Sequence, residues 1–152
     1  MKRSYISLSA SLLLIISSVF TSCKKSDDVS VTRALIDDWK LSKIGLDINK
    51  NGLLDTAERS AFFDINYEAM TITFNEDKTG TSVVKAYYYP TIFGNGNFQW
   101  HSDDRAQMIT VNSREGTSHT TKLIFIDFNT IAVLDNSLAV YGQSIWNVYT
   151  RK

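Results

Sequence analysis

The 152-residue chain carries 16 Lys plus Arg against 16 Asp plus Glu, with one Cys and one Pro. This length suits a single domain, and the 43% hydrophobic content supports a buried core, which argues against a two-domain enzyme and against a disordered chain. The formal net charge of zero argues against a nucleic-acid partner, because such binding needs a concentrated basic surface. The single Cys cannot form an internal disulfide.

The first residues have the order of a secretory signal. Lys2 and Arg3 precede an uncharged apolar run from Ile6 to Phe20, which is too short to span a bilayer comfortably. The run ends at Thr21-Ser22-Cys23, which resembles the lipobox of bacterial lipoproteins, where the thiol is acylated and the chain is cut before it. The alternative is an ordinary secretory signal that leaves a free thiol. We predict a lipoprotein signal peptide over residues 1–22.

Acylation of Cys23 would hold the protein to a membrane without a transmembrane helix, because each buried methylene contributes roughly 0.8 kcal/mol. Residues 23–31 are then expected to form a flexible lipidated tether, and residues 32–152 the folded domain. Within the tether, residues 24–28 resemble the surface-export signals of Bacteroidetes lipoproteins, with a plain solvated spacer as the alternative. These features predict an outer-membrane lipoprotein of a bacterial cell envelope, facing either the periplasm or the cell surface.

The remaining sequence consists of short runs of alternating apolar residues separated by turn residues. This rhythm predicts an antiparallel sandwich or an up-and-down barrel, and a helical pattern occurs only around residues 58–69. The predicted strands are Trp39–Leu46, Met70–Phe74, Thr81–Tyr89, Phe98–Trp100, Met108–Val111, Thr120–Ile126, Thr130–Leu134 and Ser144–Thr150.

Four parts of the chain carry a resemblance to a known family. The stretch from Leu35 to Leu41, with Trp39, resembles the opening strand of lipocalins and of the lipocalin-like lipoproteins of Bacteroidetes. Phe74 to Thr81 is similar to their Phe-Asn-x-Asp-Gly-Thr hairpin. Phe98 to Trp100, followed by Ile109 to Val111, resembles the next strand pair, and Trp146 to Tyr149 the closing strand. The resemblance implies an all-β, eight-stranded antiparallel up-and-down barrel, with a short helical and loop insertion between the first two strands.

The segment from Asp47 to Glu58 matches the twelve-residue calcium loop of EF-hands, with Gly52 at the sixth position, where the chain turns sharply. Its oxygen ligands, without His or Cys, favour calcium over zinc or copper. The alternative is a solvated loop that binds nothing. Because no second loop accompanies it, we expect a structural ion rather than a switch, with a dissociation constant of about 10⁻⁴ to 10⁻³ M. The predicted ligands are Asp47, Asn49, Asn51, the Leu53 carbonyl, Asp55 and Glu58.

Aromatic residues near the middle of the chain suggest a site for a small apolar molecule at one mouth of the barrel. Tyr88, Phe93 and Trp100 are the residues predicted to line it. The alternative is that these rings fill the core or lie on the surface, since an eight-stranded barrel can be filled by its own side chains. The rival function is then a closed, filled barrel that acts as an interaction or assembly module in an envelope complex.

Catalytic signatures are weak. His101 and His119 flank predicted turns, and a rim hydrolase would need them to converge with a carboxylate, such as that of Asp103 or Asp104. The sequence has neither a Gly-x-Ser-x-Gly elbow nor a phosphate-binding glycine loop. We predict that the protein is not an enzyme and that the domain is monomeric.

Overall fold

A computed structural model describes residues 30–65, 68–85, 91–136 and 142–152, so the predicted sites at Cys23 and Tyr88 lie outside the described residues. Two short helices and nine strands make up the described part. They are α1 (Val31–Leu35), β1 (Asp37–Leu46), α2 (Thr56–Ser60), β2 (Phe63–Asp64), β3 (Met70–Phe74), β4 (Thr79–Val84), β5 (Gly96–Asp103), β6 (Met108–Ser113), β7 (Ser118–Asp127), β8 (Thr130–Asp135) and β9 (Ile145–Arg151).

The sheet closes into a barrel. Strands β3 to β9 are antiparallel neighbours in chain order, and β1 pairs with both β3 and β9. The short β2 adds to β1 beyond the end of β3, at Lys43 and Ile44. The predicted eight-stranded antiparallel up-and-down barrel, with an insertion between its first two strands, is therefore confirmed.

Most strands begin or end one to three residues away from the sequence prediction, as when β5 runs from Gly96 to Asp103 and not from Phe98 to Trp100, and two elements differ more. The helical pattern expected around residues 58–69 yields only the five residues of α2, and the two-residue strand β2 follows it. Helix α2 begins where the Asp55 side chain caps it by accepting from the Glu58 N–H at 2.9 Å. The third predicted strand, expected to run to Tyr89, ends at Val84, and residues 86–90 lie outside the described part.

Four aromatic rings pack together in the barrel interior. The Phe74 ring lies 5.2 Å from Trp100, 5.7 Å from Phe98 and 5.8 Å from Phe93, in edge-to-face contacts that the ring quadrupoles favour. Gly80 pairs with both Phe74 and Phe98, and a Cβ at this position would overlap the Phe98 ring. Because Gly80 has no side chain, the rings have room beside it. We call the rings of Phe74, Phe93, Phe98 and Trp100 the inner cluster.

Helix α1 closes one end of the barrel. The Trp39 indole N–H donates to the Leu35 carbonyl at 2.8 Å, and the Arg151 guanidinium donates to the Ala34 carbonyl at 2.7 Å. Arg151 also lies over the Trp39 ring, 4.9 Å from its centroid. The opposite end, where β6 turns into β7, is called the far end.

A second apolar cluster lies on the outer surface of the barrel. Strand β8 departs from alternation, and the five residues from Ile131 to Asp135 are all buried, because both faces of the strand are covered. Leu54 and Phe62 of the insertion provide the outer cover. A Cβ at Gly45 would overlap the Phe62 ring, so this glycine allows the insertion to pack closely on β1. We call this group the outer cluster; it comprises Leu54, Phe62, Ile124, Ile126, Ala132, Leu134, Trp146 and Val148.

Candidate functional site

The insertion between β1 and α2 forms a tight loop around the side chain of Asp47. The Gly52 N–H donates to Asp47 Oδ2 at 3.0 Å, and the Lys50 N–H donates to the Asp47 carbonyl at 3.2 Å. Gly52 has a φ of +62°, a left-handed conformation that glycine adopts without strain. The backbone conformation therefore favours the glycine predicted at the turn of the loop.

Side-chain hydrogen bonds within the loop shape it further. Asp55 caps α2 through one oxygen, and its other oxygen accepts from the Asn49 amide at 2.7 Å. Asn51 Oδ1 accepts from the Leu53 N–H at 2.7 Å. The polar side chains predicted as ligands are thus gathered around one loop by local contacts.

Two carboxylates in this loop are buried close together. Asp47 is 6% exposed and Glu58 is fully buried. Asp47 Oδ1 and Glu58 Oε2 have no hydrogen-bond partner, which is costly for buried charged groups. Burial raises the pKa of Glu58 above its ordinary value, and the neighbouring Asp47 carboxylate raises it further. A cation between these oxygens would relieve both the desolvation and the repulsion.

The loop is attached firmly to the barrel wall. Lys122 on β7 donates from Nζ to the Gly52 carbonyl at 2.7 Å, and the Asp47 N–H donates to the Ser144 carbonyl at 3.0 Å. Leu54, at the eighth loop position, packs into the outer cluster. The loop is therefore part of the cover over β8 and β9.

The predicted ligand set is only partly assembled. Asp47 and Glu58 face one another, whereas the Asp55 carboxylate is engaged by the cap of α2 and by Asn49. Across the ranges that the structure describes, no three His, Cys, Asp or Glu side chains converge into a metal-binding group. The donor set is nevertheless of the oxygen-rich kind that calcium prefers, and the two unpartnered oxygens fit a cation.

Phe93 and Trp100, the two residues predicted to bind a small molecule that the structure describes, lie inside the barrel. Phe93 and Trp100 are each 2% exposed, and both contact Phe74. Phe93 and Ile92 also line a cavity of about 460 Å³ at the far end, which we call the far-end cavity. Its polar walls include Thr91, Asn95, Ser113, Thr117 and His119.

A buried carboxylate that the sequence did not point to holds the Ile92 segment in place. Asp135 is fully buried and accepts from the Ile92 N–H at 2.8 Å and from the Asn147 amide at 3.4 Å. In the sequence, Asp135 opens an Asp-Asn-Ser run that is typical of a solvated turn. Only the pairing of Asp135 with Ile145 shows that it still belongs to a strand.

The two histidines occupy different surroundings. His101 lies opposite Thr110 and is exposed, while His119 lies opposite the buried Val111 and lines the far-end cavity. Paired residues on neighbouring strands point to the same face of a sheet, and consecutive residues point to opposite faces. Since Thr110 and Val111 are consecutive on β6, the two imidazoles lie on opposite faces of the sheet. The structure does not bring them together.

The chain matches no protein-family model, no curated protein and no solved structure. In the described ranges, no helix has the length and apolar character needed to cross a membrane. The features of the chain that bear on its function are therefore the barrel and the loop from Asp47 to Glu58.

Proposed function

We propose that the protein is a lipoprotein of the bacterial cell envelope, held at the outer membrane through Cys23, whose barrel carries one structural calcium ion in the loop from Asp47 to Glu58. The observation that carries the calcium proposal is the pair of buried carboxylates with unpartnered oxygens, Asp47 Oδ1 and Glu58 Oε2. The EF-hand spacing of the surrounding residues supports the same ion.

Calcium would be held by oxygens from six residues of the loop. The carboxylates of Asp47 and Glu58 would supply the buried ligands, and the peripheral ligands would come from Asn49, Asn51, the Leu53 carbonyl and Asp55. A bound divalent cation neutralises the net charge of −2 on the loop. Since Leu54 packs into the outer cluster, the ion would fix the insertion over the outer surface of the barrel.

Calorimetric titration of the intact protein with calcium tests this site. We expect measurable heat and a higher melting temperature in calcium, because binding to the folded state alone stabilises it. Asp47→Asn should abolish both effects. Asp64→Asn is a matched control, because this carboxylate of the same insertion is exposed and pairs with Lys43. Absence of any calcium-dependent heat in the unaltered protein would refute the site.

The lipid anchor is supported by the lipobox-like end of the signal sequence and requires its own experiment. Cells grown with an alkyne palmitate should label the protein, and Cys23→Ala should remove the label. Continued labelling of this variant would show that any acyl group is attached elsewhere.

Two finer functions of the barrel remain as candidates. The far-end cavity, whose lining includes Ile92 and Phe93 among polar residues, is the candidate place for a small apolar molecule with polar groups. The filled inner cluster instead favours an interaction or assembly module. Native mass spectrometry of the protein purified from its own envelope separates them. A retained small molecule supports the first, and co-purification of other envelope proteins without any small molecule supports the second.

A further inference from the structure

The outer surface formed by β4, β5 and β6 is chemically different from the covered surface of β8 and β9. Along β5, exposed residues alternate with the buried Phe98 and Trp100. The exposed positions next to these two rings hold Asn97 and Gln99, which are neutral and polar, and His101 and Asp103 follow farther along the strand.

A concave site occupies this surface. It has a volume of about 600 Å³, and we call it the wall cleft. Arg114 is the one charged residue among the described residues that line it. The lining residues are Thr79, Gly80, Thr81, Asn97, Phe98, Gln99, Asn112, Ser113 and Arg114.

Strand register arranges the amides in the cleft. Gln99 lies directly opposite Asn112 on one side and Thr79 on the other, which makes a polar row across three strands. Neighbouring strands are about 4.8 Å apart, a spacing similar to the length of one hexose ring. Asn97 continues the polar surface two residues along β5.

The key side chains are free to bind a ligand. In the part of the chain that the structure describes, the side chains of Asn97, Gln99, Asn112 and Arg114 make no hydrogen bond or ion pair. Each amide offers both a donor and an acceptor, which suits adjacent hydroxyl groups. The Arg114 guanidinium suits an acidic group, to which it can donate two parallel hydrogen bonds.

The chemistry of the cleft disfavours other polymers. An extended peptide would add to a free strand edge, but β5 is paired on both sides by β4 and β6. A nucleic acid would need several cations, and the described lining has a single one.

We propose that the wall cleft binds a polyhydroxylated saccharide chain that carries a carboxylate. The amides of Asn97, Gln99 and Asn112 contact its hydroxyl groups, and Arg114 pairs with its acidic group. This binding is independent of the calcium site, because no predicted calcium ligand lines the cleft.

Nuclear magnetic resonance of the ¹⁵N-labelled intact protein tests the proposal directly, since the side-chain amide groups give their own signals. Two probes are compared: a hyaluronan tetrasaccharide, which carries carboxylates, and chitotetraose, which is uncharged. Both should shift the side-chain signals of Asn97, Gln99 and Asn112, and the acidic probe should bind more tightly.

Variants separate the parts of the site. Arg114→Gln should weaken binding of the acidic probe about tenfold and leave that of the neutral probe unchanged, because one charge-assisted contact is lost. Arg105→Gln, an exposed arginine in the β5–β6 turn outside the cleft, should change neither.

Joint replacement of Gln99 and Asn112 by Ala should abolish the shift of the remaining Asn97 side-chain signal with both probes, while the backbone spectrum stays that of the folded protein. The proposal is overturned if neither tetrasaccharide moves these signals at millimolar concentration. Equal weakening by Arg105→Gln would also overturn it.

Discussion

The inner and outer clusters of this barrel are both apolar, but they are closed by different means. The inner cluster is enclosed by the sheet, whose ends meet when β1 pairs with β9. The outer cluster is enclosed by the insertion, through Leu54 and Phe62. The insertion in turn contains the buried carboxylates of Asp47 and Glu58. The difference teaches that the inner cluster is closed by backbone pairing alone, whereas the cover of the outer cluster contains two carboxylates whose burial is unfavourable until they are neutralised.

The largest expected effect comes from the inner cluster. Phe74→Ala removes a ring that contacts three other rings, and it should lower the free energy of unfolding by about 3–5 kcal/mol. Urea unfolding with and without calcium measures this loss. The loss should be the same in both conditions, and a strong dependence on calcium would break the distinction between the clusters.

A smaller loss in the free energy of unfolding is expected from a substitution where the insertion packs on β1. Gly45→Val places methyl groups in the space of the Phe62 ring and should cost about 1–3 kcal/mol. Because Trp146 belongs to the outer cluster, its indole N–H resonance should move. Adding Phe62→Ala should recover part of the loss, since the overlapping ring is then gone. Full additivity of the two substitutions would contradict this packing.

Replacement of a buried carboxylate should change the melting temperature in opposite directions with and without calcium. Glu58→Gln keeps the shape of the side chain but removes the repulsion from Asp47, so the calcium-free protein should melt a few degrees higher. The same substitution should abolish the melting-temperature gain in calcium. A normal gain in calcium would show that Glu58 is not a ligand.

The smallest expected effect is on how stability depends on pH. The carboxylates of Glu58 and Glu68 should contribute to this dependence with opposite signs. The raised pKa of Glu58 means that its stabilising contribution is present below pH 4.5 and is lost as the pH rises through the raised value in calcium-free protein. Lys85 and Lys152 lower the pKa of Glu68 to about 2, so its contribution is present above pH 4.5 and is lost as the pH falls toward 2.

Melting curves in a calcium chelator follow both changes. Glu58→Gln should remove only the loss at higher pH, and Glu68→Gln only the loss at lower pH. An unchanged profile in Glu58→Gln would assign the higher-pH loss to another group.

The local pattern of the chain predicted much of the barrel. The strict alternation of Met70 to Phe74 appears as β3, because one face of each strand must be apolar to fill a closed sheet. Gly52 and the oxygen-bearing residues beside it were also recognisable, since a loop of this kind is defined by short-range spacing. The ends of β5 and the fate of residues 58–69 were less predictable, because tertiary contacts decide where such elements stop.

Sequence alone determined the strand rhythm, the turn at Gly52 and the residues of the loop, since these depend on neighbours only a few positions apart. Tertiary structure decided the rest. It brought Leu54 and Phe62 onto Trp146, buried Asp135 beneath Ile92, and left the oxygens of Asp47 and Glu58 without partners. These features depend on contacts between residues far apart in the chain, and such contacts exist only after the sheet has closed and the insertion has folded over it.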